Sequence, residues 1–338
     1  MKFIYFTDIH LWQGLDSKLG VEKCFESMLG HSPEFLINGG DLGIENEATA
    51  FYDDLVRDIP MPILMCNGNH EMCSGYLPRE KAGTTHYGTD INGVHIVVLD
   101  VVHYNEPSDT WPRNWYGLAN EDLLTWLKDD LFYVNPSAPL IVAAHIPLST
   151  TFPFRMGRKP EGERPTNAVF NADRVMDLLK PFKNVATLHG HDHENCRHYV
   201  DHIHIMTTSA VSGNWWKQGL ESYAPHGNEP QGYQIIDIAD DGTITNQYTA
   251  FQPEQDKPAE FYRHEKSGRQ FINVFDGSPK TRVTIKDLGN LSPIDPKAES
   301  SIGLSAHLYE LPKNFDRNII KVQIAFESGR VFDRSLKT

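Results

Sequence analysis

A chain of 338 residues, 40% hydrophobic and 11% aromatic, has the ordinary composition of a soluble globular protein and is long enough for one large domain plus a smaller one. No apolar run reaches the length of a membrane span, and strand-like sequence begins at Lys2, which leaves no room for a signal peptide in the chain as given. A formal charge of -14 argues against general nucleic-acid binding, and the four cysteines, Cys24, Cys66, Cys73 and Cys196, form no CxxC pair; a reducing compartment, cytoplasmic by default, is expected unless a leader precedes this sequence.

KFIYFT (2–7) is the first strand-length apolar run, and EFLIN (34–38), PILMC (62–66), LIVAA (140–144) and VATL (185–188) read the same way. Between the first three lie LGVEKCFESML and ATAFYDDLVRDI, with apolar residues at helical spacing. INGVHIVVLD (91–100) opens on an Asn-Gly turn and reads as one arm of a hairpin. EDLLTWLKDDL (121–131) follows Asn120, a good N-cap, and carries a stripe of Leu123, Leu124, Leu127 and Leu131, with Trp126 expected in the core. Residues 149–168 are rich in Pro, Gly and charge and read as a long loop, a candidate lid. The helical ADRVMDLL (172–179) precedes VATL; HIHIMTT and GYQIIDIADDGTITNQY then turn the chain to strands, the latter with an Asp-Gly hairpin turn. FQPEQDKPAE reads as a linker. Beyond it FINVF–DGSP–TRVTIKDL and IIKVQIAF–ESGR–VFDRSL look hairpin-like, so residues 260–338 are expected to form a small all-β module, a sandwich.

The five core runs share a further property. Each is followed by side chains able to ligate metal: Asp8-x-His10, Gly40-Asp41, Gly68-Asn69-His70, His145 and Gly190-His191-x-His193. In open parallel sheets the carboxyl ends of the strands face one crevice, so these clusters should converge. Carboxylate, amide and imidazole donors without thiolate suit Mn, Fe, Zn or Ni better than an all-oxygen Mg or Ca site. Asp8, His10, Asp41, Asn69, His145, His191 and His193 exceed the needs of one tetrahedral ion and fit two ions sharing a bridge. Such a pair, ~3.5–4 Å apart, can clamp the attacking and leaving oxygens of a phosphoryl centre and hold a water as hydroxide near neutral pH.

DIH (8–10), GGD (39–41), GNHE (68–71), AAHIP (143–147) and GHDH (190–193), in that order, resemble the signature of the calcineurin-like metallophosphoesterases, over roughly residues 1–250. SGNWWKQG (212–219) followed by PQGYQIIDI resembles, more loosely, a bacterial subgroup with an extra C-terminal β domain. The resemblance implies a four-layer α/β/β/α sandwich over residues 1–252 and a small all-β C-terminal domain over 260–338. It implies two transition-metal ions (Mn, Fe or Zn), the first held by Asp8, His10 and His193, the second by Asn69, His145 and His191, with Asp41 bridging. His70 matches the family's non-ligand histidine, which stabilises developing charge or protonates the leaving oxygen. Glu71 matches an acidic position able to orient a neighbouring ligand. His189, before the Gly of GHDH, is expected either to support a ligand or to be structural.

The expected reaction is hydrolysis of a small phosphate-ester substrate by a metal-activated water, leaning to a phosphodiester with a nucleotide-like or other organic group. The alternatives are a phosphomonoesterase, protein phosphatases included, and a metal-bound scaffold without activity. Arg155, Arg158, Lys159 and Arg164 make the long loop basic in an acidic protein, either as a lid that attracts an anion or as a solvated loop. Trp215 and Trp216 can stack on a base or sugar or wedge the two domains together. Tyr104, Trp111, Trp115 and Tyr116 form a second aromatic segment, a pocket wall or a loop packed on itself.

Overall fold

The computed structural model describes residues 1–11, 16–43, 46–73, 85–104, 115–158, 162, 165–295 and 306–338. Lys159, Arg164 and Trp111 lie outside the described residues, as does the side chain of Tyr104. No helix among the described residues is long and apolar enough to cross a membrane.

The core runs are divided between two sheets rather than aligned in one. The first sheet has the order β15-β14-β1-β2-β3. Its β1 (Lys2–Phe6), β2 (Leu36–Asn38) and β3 (Ile63–Met65) are parallel, and the hairpin β14 (Gly232–Ile238) and β15 (Ile244–Ala250) extends it antiparallel. The second sheet has the order β10-β11-β9-β8-β5-β4. In it β5 (Val94–Leu99), β8 (Pro139–Ala144), β9 (Asn184–His189) and β11 (Ile203–Thr207) are parallel, edged by β4 (Tyr87–Ile91) and β10 (Cys196–Val200). A small pair, β6 (Val102–Tyr104) and β7 (Trp115–Gly117), lies apart.

Strand alternation explains the layering. Phe3, Tyr5, Phe35 and Ile37 of the first sheet meet Ile96, Val98, Ile141, Ala143 and Leu188 of the second in one buried cluster. The alternate residues Ile4 and Phe6 face outward onto Val21, Phe25 and Met28 of α1 (Asp16–Leu29) and Tyr52 of α2 (Asn46–Val56). On the far side Val97, Leu140 and Val142 pack on α4 (Glu121–Leu131) and α6 (Ala172–Leu179). The result is helix, sheet, sheet, helix. Two further helices, α3 (Asn69–Cys73) and α5 (Phe152–Arg155), are single turns. Helix α4 starts as its sequence dictates: Asn120 accepts from the Leu123 N–H at 2.9 Å, and all four leucines of the stripe are buried. Trp126 packs against that cluster and is partly buried.

The C-terminal residues form two small sheets. β16 (Ala259–Arg263), β17 (Gln270–Val274) and β20 (Leu308–Glu310) make one; β19 (Gly289–Leu291), β18 (Arg282–Ile285), β21 (Ile319–Ala325) and β22 (Val331–Lys337) make the other. Ile272 and Val274 meet Val283, Val322 and Ile324 between them, which makes the unit a sandwich. β21 and β22 are the hairpin their sequence announces. FINVF and TRVTIKDL are not a hairpin: the intervening segment crosses between the sheets. There Asp276 is held by β15 of the first sheet, accepting from the Tyr248 N–H at 3.0 Å and the Asn246 amide at 3.2 Å.

The two bodies meet around Arg197 on β10, a fully buried guanidinium. It donates to the Asp276 carbonyl at 2.8 Å and to Glu327 Oε1 at 2.6 Å, while its backbone N–H donates to His307 Nε2 at 2.9 Å. Tyr199 adds its hydroxyl to Glu327 at 2.9 Å. Removing one partner of such a buried network strands the others without compensation. Arg197→Ala is therefore expected to cost about 3 kcal/mol or more, read as a fall in the denaturation midpoint, whereas Arg174→Ala, whose partner Glu121 is exposed, should leave that midpoint essentially unchanged.

Candidate metal centre

The loops that leave β1, β2, β3, β8 and β9 are zipped to one another. Asp8 N–H donates to Gly40 O at 3.0 Å, His10 N–H to Asp41 O at 3.0 Å, and Gly190 N–H to His145 O at 3.0 Å. The chain turns sharply at the end of each strand, and the cost is visible in the backbone. Asp8, His10, Asp41, His191 and His193 all adopt positive φ, between 46° and 72°. Non-glycine residues in the left-handed region each carry roughly 1 kcal/mol or more of strain and persist only where surrounding structure holds them. Glycine makes the close approach possible: a Cβ on Gly68 would lie 2.1 Å from Asp41 Oδ1, and one on Gly190 would lie 2.3 Å from Asp8 Oδ2.

Each carboxylate has one oxygen tethered and one aimed inward. Asp8 Oδ2 accepts from the Thr7 hydroxyl at 2.6 Å and the His191 N–H at 3.0 Å. Asp8 Oδ1 is buried without a hydrogen-bond partner and faces His193 Nε2 at 3.1 Å and His10 Nε2 at 3.5 Å. Asp41 Oδ1 accepts from the His70 N–H at 2.8 Å, while Oδ2 faces His145 Nε2 at 3.2 Å and His10 Nε2 at 3.8 Å. Glu71 does not face the centre. Its carboxylate takes the N–H groups of Asp41 (3.0 Å), Leu42 (2.6 Å) and Gly68 (2.6 Å), clamping the second and third loops together. Burial, then the neighbouring Asp41 charge, pushes its pKa up to about 7.

The imidazoles are oriented from behind in the same way. His145 Nδ1 donates to Gly39 O at 2.8 Å, which leaves the Nε2 lone pair toward Asn69 Oδ1 (3.1 Å) and Asp41. His193 Nδ1 donates to Asn214 O at 3.1 Å, leaving Nε2 2.9 Å from His10 Nε2. His191 Nε2 donates to Thr166 O at 2.7 Å, so Nδ1 is its inward atom. Lone pairs and carboxylate oxygens thus converge on two points. Asp8, His10 and His193 form one group of ligand atoms and Asp41, His145 and His191 another, each within 4.8 Å. Ligands ~2.1 Å from an octahedral or tetrahedral ion stand roughly 3.0–3.4 Å apart, so the contacts around Asp8 and Asp41 fit metal ions.

The electrostatics agree. Burial pushes His10 down to about 4 and His191 to about 3, which keeps them as the neutral, ligating form. Burial also opposes charge on His145, yet Asp41 and Asp8 lift it to about 10. Asp8 and Asp41 resist burial and stay below the usual carboxylate range because histidines surround them. The group as a whole demands positive charge at its centre.

His70 lies at the open side: its side chain is 21% exposed against 1% for His10. Its Nε2 is 3.9 Å from Asp41 Oδ2, close enough to count with His10 and Asp41 as a third possible ligand group. His189 is turned away, Nδ1 donating to Ala144 O at 2.8 Å and Nε2 accepting from the Thr187 hydroxyl at 2.8 Å. Arg155 does not sit on a basic lid. It is 3% exposed, paired with buried Glu194 and bonded to Thr151 Oγ1 at 3.1 Å. Arg158 holds Asn167 Oδ1 at 2.8 Å, next to the Thr166 that orients His191. Trp115 is buried with its ring 5.3 Å from that of His191, and Tyr116 packs on His103. Trp215 faces the centre and Trp216 the core. The supporting atoms Thr166 O, Asn214 O and Gly39 O left no trace in the sequence, because a backbone carbonyl can belong to any residue.

The family described as calcineurin-like phosphoesterase matches residues 1–195. No curated protein matches the chain in sequence. A dimetal phosphatase from Danio rerio is similar in structure, with a TM-score of 0.54, 11% identity, and coverage of 81% of this chain and 99% of that one. A purple acid phosphatase from yellow lupin seeds gives 0.52 at 13% identity, over 76% of this chain and 52% of that one. A third, described as the anchor in the inner membrane complex of Plasmodium, gives 0.50 at 14% identity, over 75% and 85%. At such identities the likeness is one of fold.

The tight packing at Gly68 yields a direct test. Gly68→Ala should push Asp41 off its position and weaken Mn or Zn binding at least about tenfold, a loss of ~1.4 kcal/mol, in isothermal titration. Gly93→Ala strains a turn at φ 83° but its Cβ would meet nothing and it touches no ligand, so metal affinity should be unchanged.

Proposed function

Since the chain belongs to the calcineurin-like phosphoesterase family and is a phosphoric ester hydrolase, we propose that it works through two metal ions bridged by Asp41 and acts on a small organic phosphodiester. The observation that carries the reading is the position of Asp41 Oδ2, which faces His145 at 3.2 Å on one side and His10 at 3.8 Å on the other. Asp8, His10 and His193 would hold the first ion, and Asn69, His145 and His191 the second. Glu71 fixes the backbone of the bridging residue. Bound ions would neutralise charge on the phosphoryl oxygens and supply an activated water, so no covalent phospho-enzyme is needed.

The chain's own groups do the rest. His70, on the solvent side of Asp41, would deliver a proton to the departing oxygen, a role its partial exposure supports. Its N–H to Asp41 Oδ1 ties its backbone to the bridging carboxylate, so the proton donor and the metal pair keep a fixed relation. The diester preference is favoured by the partly exposed ring of Trp215 at His10, which gives an organic group a surface to rest on. Arg158 and Trp216 serve the scaffold in this reading, and Arg155 acts through its buried pair with Glu194.

Turnover of bis-p-nitrophenyl phosphate should exceed that of p-nitrophenyl phosphate in Mn-loaded protein; the reverse order would assign it to monoesters. Asp41→Asn should lose both bound metal and activity. His70→Ala should keep its metal and lose about 10²–10⁴ in kcat. Equal metal loss in both variants would instead make His70 a ligand.

A further inference from the structure

The segment after β11 is built into the metal centre from both sides. β12 (Trp215–Trp216) pairs with β13 (Ser222–Tyr223), Trp215 opposite Tyr223. Asn214, one residue earlier, supplies the carbonyl that orients His193. Trp216 donates its indole N–H to Ile9 O at 2.8 Å, the residue between Asp8 and His10, and its ring closes over Gly20, where a Cβ would lie 2.3 Å away. Trp216 therefore anchors the hairpin in the core beneath α1. Strand alternation sends Trp215 to the opposite face. There its ring stands 4.5 Å from that of His10 and 5.8 Å from those of His70 and His193.

Residues directly opposite in an antiparallel pair share a face, so Tyr223 continues the surface that Trp215 begins. The Lys217 ammonium lies 4.4 Å from the Tyr223 ring centroid. Trp215 is 37% exposed and Tyr223 56%, and neither belongs to the core clusters that include Trp216. Trp215 thus rests on the imidazoles of the centre and still leaves part of its ring open, and Tyr223 with Lys217 continues that face outward in a protein of net charge -14.

We propose that Trp215, Tyr223 and Lys217 form the subsite for the organic group of the ester, and that this group is a planar aromatic one. The inference deepens the phosphoesterase reading and rests on it. Aromatic side chains beside a phosphate site favour bases and aryl rings, whose π-faces stack without demanding particular hydrogen bonds.

Binding of non-hydrolysable phosphonates to the Mn-loaded full chain tests it. The probes are methylphosphonate, phenylphosphonate and a 5′-phosphonate analogue of adenosine monophosphate, read by calorimetry with bound Mn measured alongside. In the native chain the adenosine analogue should bind roughly tenfold tighter than methylphosphonate, as one stacked base provides. Trp215→Ala should bring that ratio to near unity while Mn content and methylphosphonate affinity stay unchanged; Tyr223→Ala and Lys217→Ala should reduce it in part. Phenylphosphonate gaining as much as the adenosine analogue would place a single aryl ring in the subsite; a smaller gain would place a nucleobase there. Native protein that binds the adenosine analogue no tighter than methylphosphonate overturns the proposal, as does equal weakening of both by Trp215→Ala. None of the probes is turned over, so a chain inactive on phosphodiesters would fail the functional reading and leave this test intact.

Discussion

Buried electron-pair donors that face one another are the constraint on which the rest of the structure depends. Asp8 Oδ1, Asp41 Oδ2 and the inward nitrogens of His10, His145 and His193 lie 2.9 to 3.8 Å apart with little water between them. Burial opposes charge here, yet without a cation the carboxylates draw protons onto the surrounding imidazoles, and Asp41 and Asp8 lift His145 to about 10. The donors keep their positions because Asp8, Asp41, His145, His191 and His193 each have the other polar atom fixed from behind, by Thr7, Gly39, Thr166, Asn214 or a loop N–H. Preorganisation of this kind keeps the donors in place before a cation arrives, and a cation takes the place of those protons.

The fold distributes that task over distance. Strands of both sheets end at the same level, so loops from either side of the central core can interlock through backbone hydrogen bonds. Positive φ at five ligand-bearing positions shows how much local strain the interlock carries. Glu71 is the centre's main internal brace: one carboxylate, three N–H donors and no outward role. On the periphery, Arg197 ties β10 to the C-terminal sandwich, and β10 begins three residues after His193. The extra domain is thus fastened to the strand that leaves the GHDH loop.

Much of the centre was legible in the sequence. Five short blocks in a fixed order point to one site because each follows a strand-length apolar run, and the structure brings all seven named side chains together. The four-layer arrangement was legible through the family likeness and not through periodicity: a run such as LIVAA is equally apolar in either sheet, so alternation cannot say which sheet it joins. FINVF and TRVTIKDL misread as a hairpin because their turn residues are good, while the tertiary hold on Asp276 that separates them is non-local. Arg155 read as exposed, on a lid or a solvated loop, for the same reason; its partner Glu194 lies 39 positions along the chain. Trp215 and Trp216 are adjacent and identical in type, and only a two-residue strand pairing assigns one to the core and the other to the rim.

The central claim is a pair of ions sharing Asp41. Electron paramagnetic resonance of the chain titrated with Mn(II) tests it most directly, because two Mn ions joined through one carboxylate are spin-coupled. Two equivalents should bind, with a coupled spectrum that grows as the second equivalent is added. Saturation at one equivalent, or two equivalents with only isolated-ion signals, would contradict it.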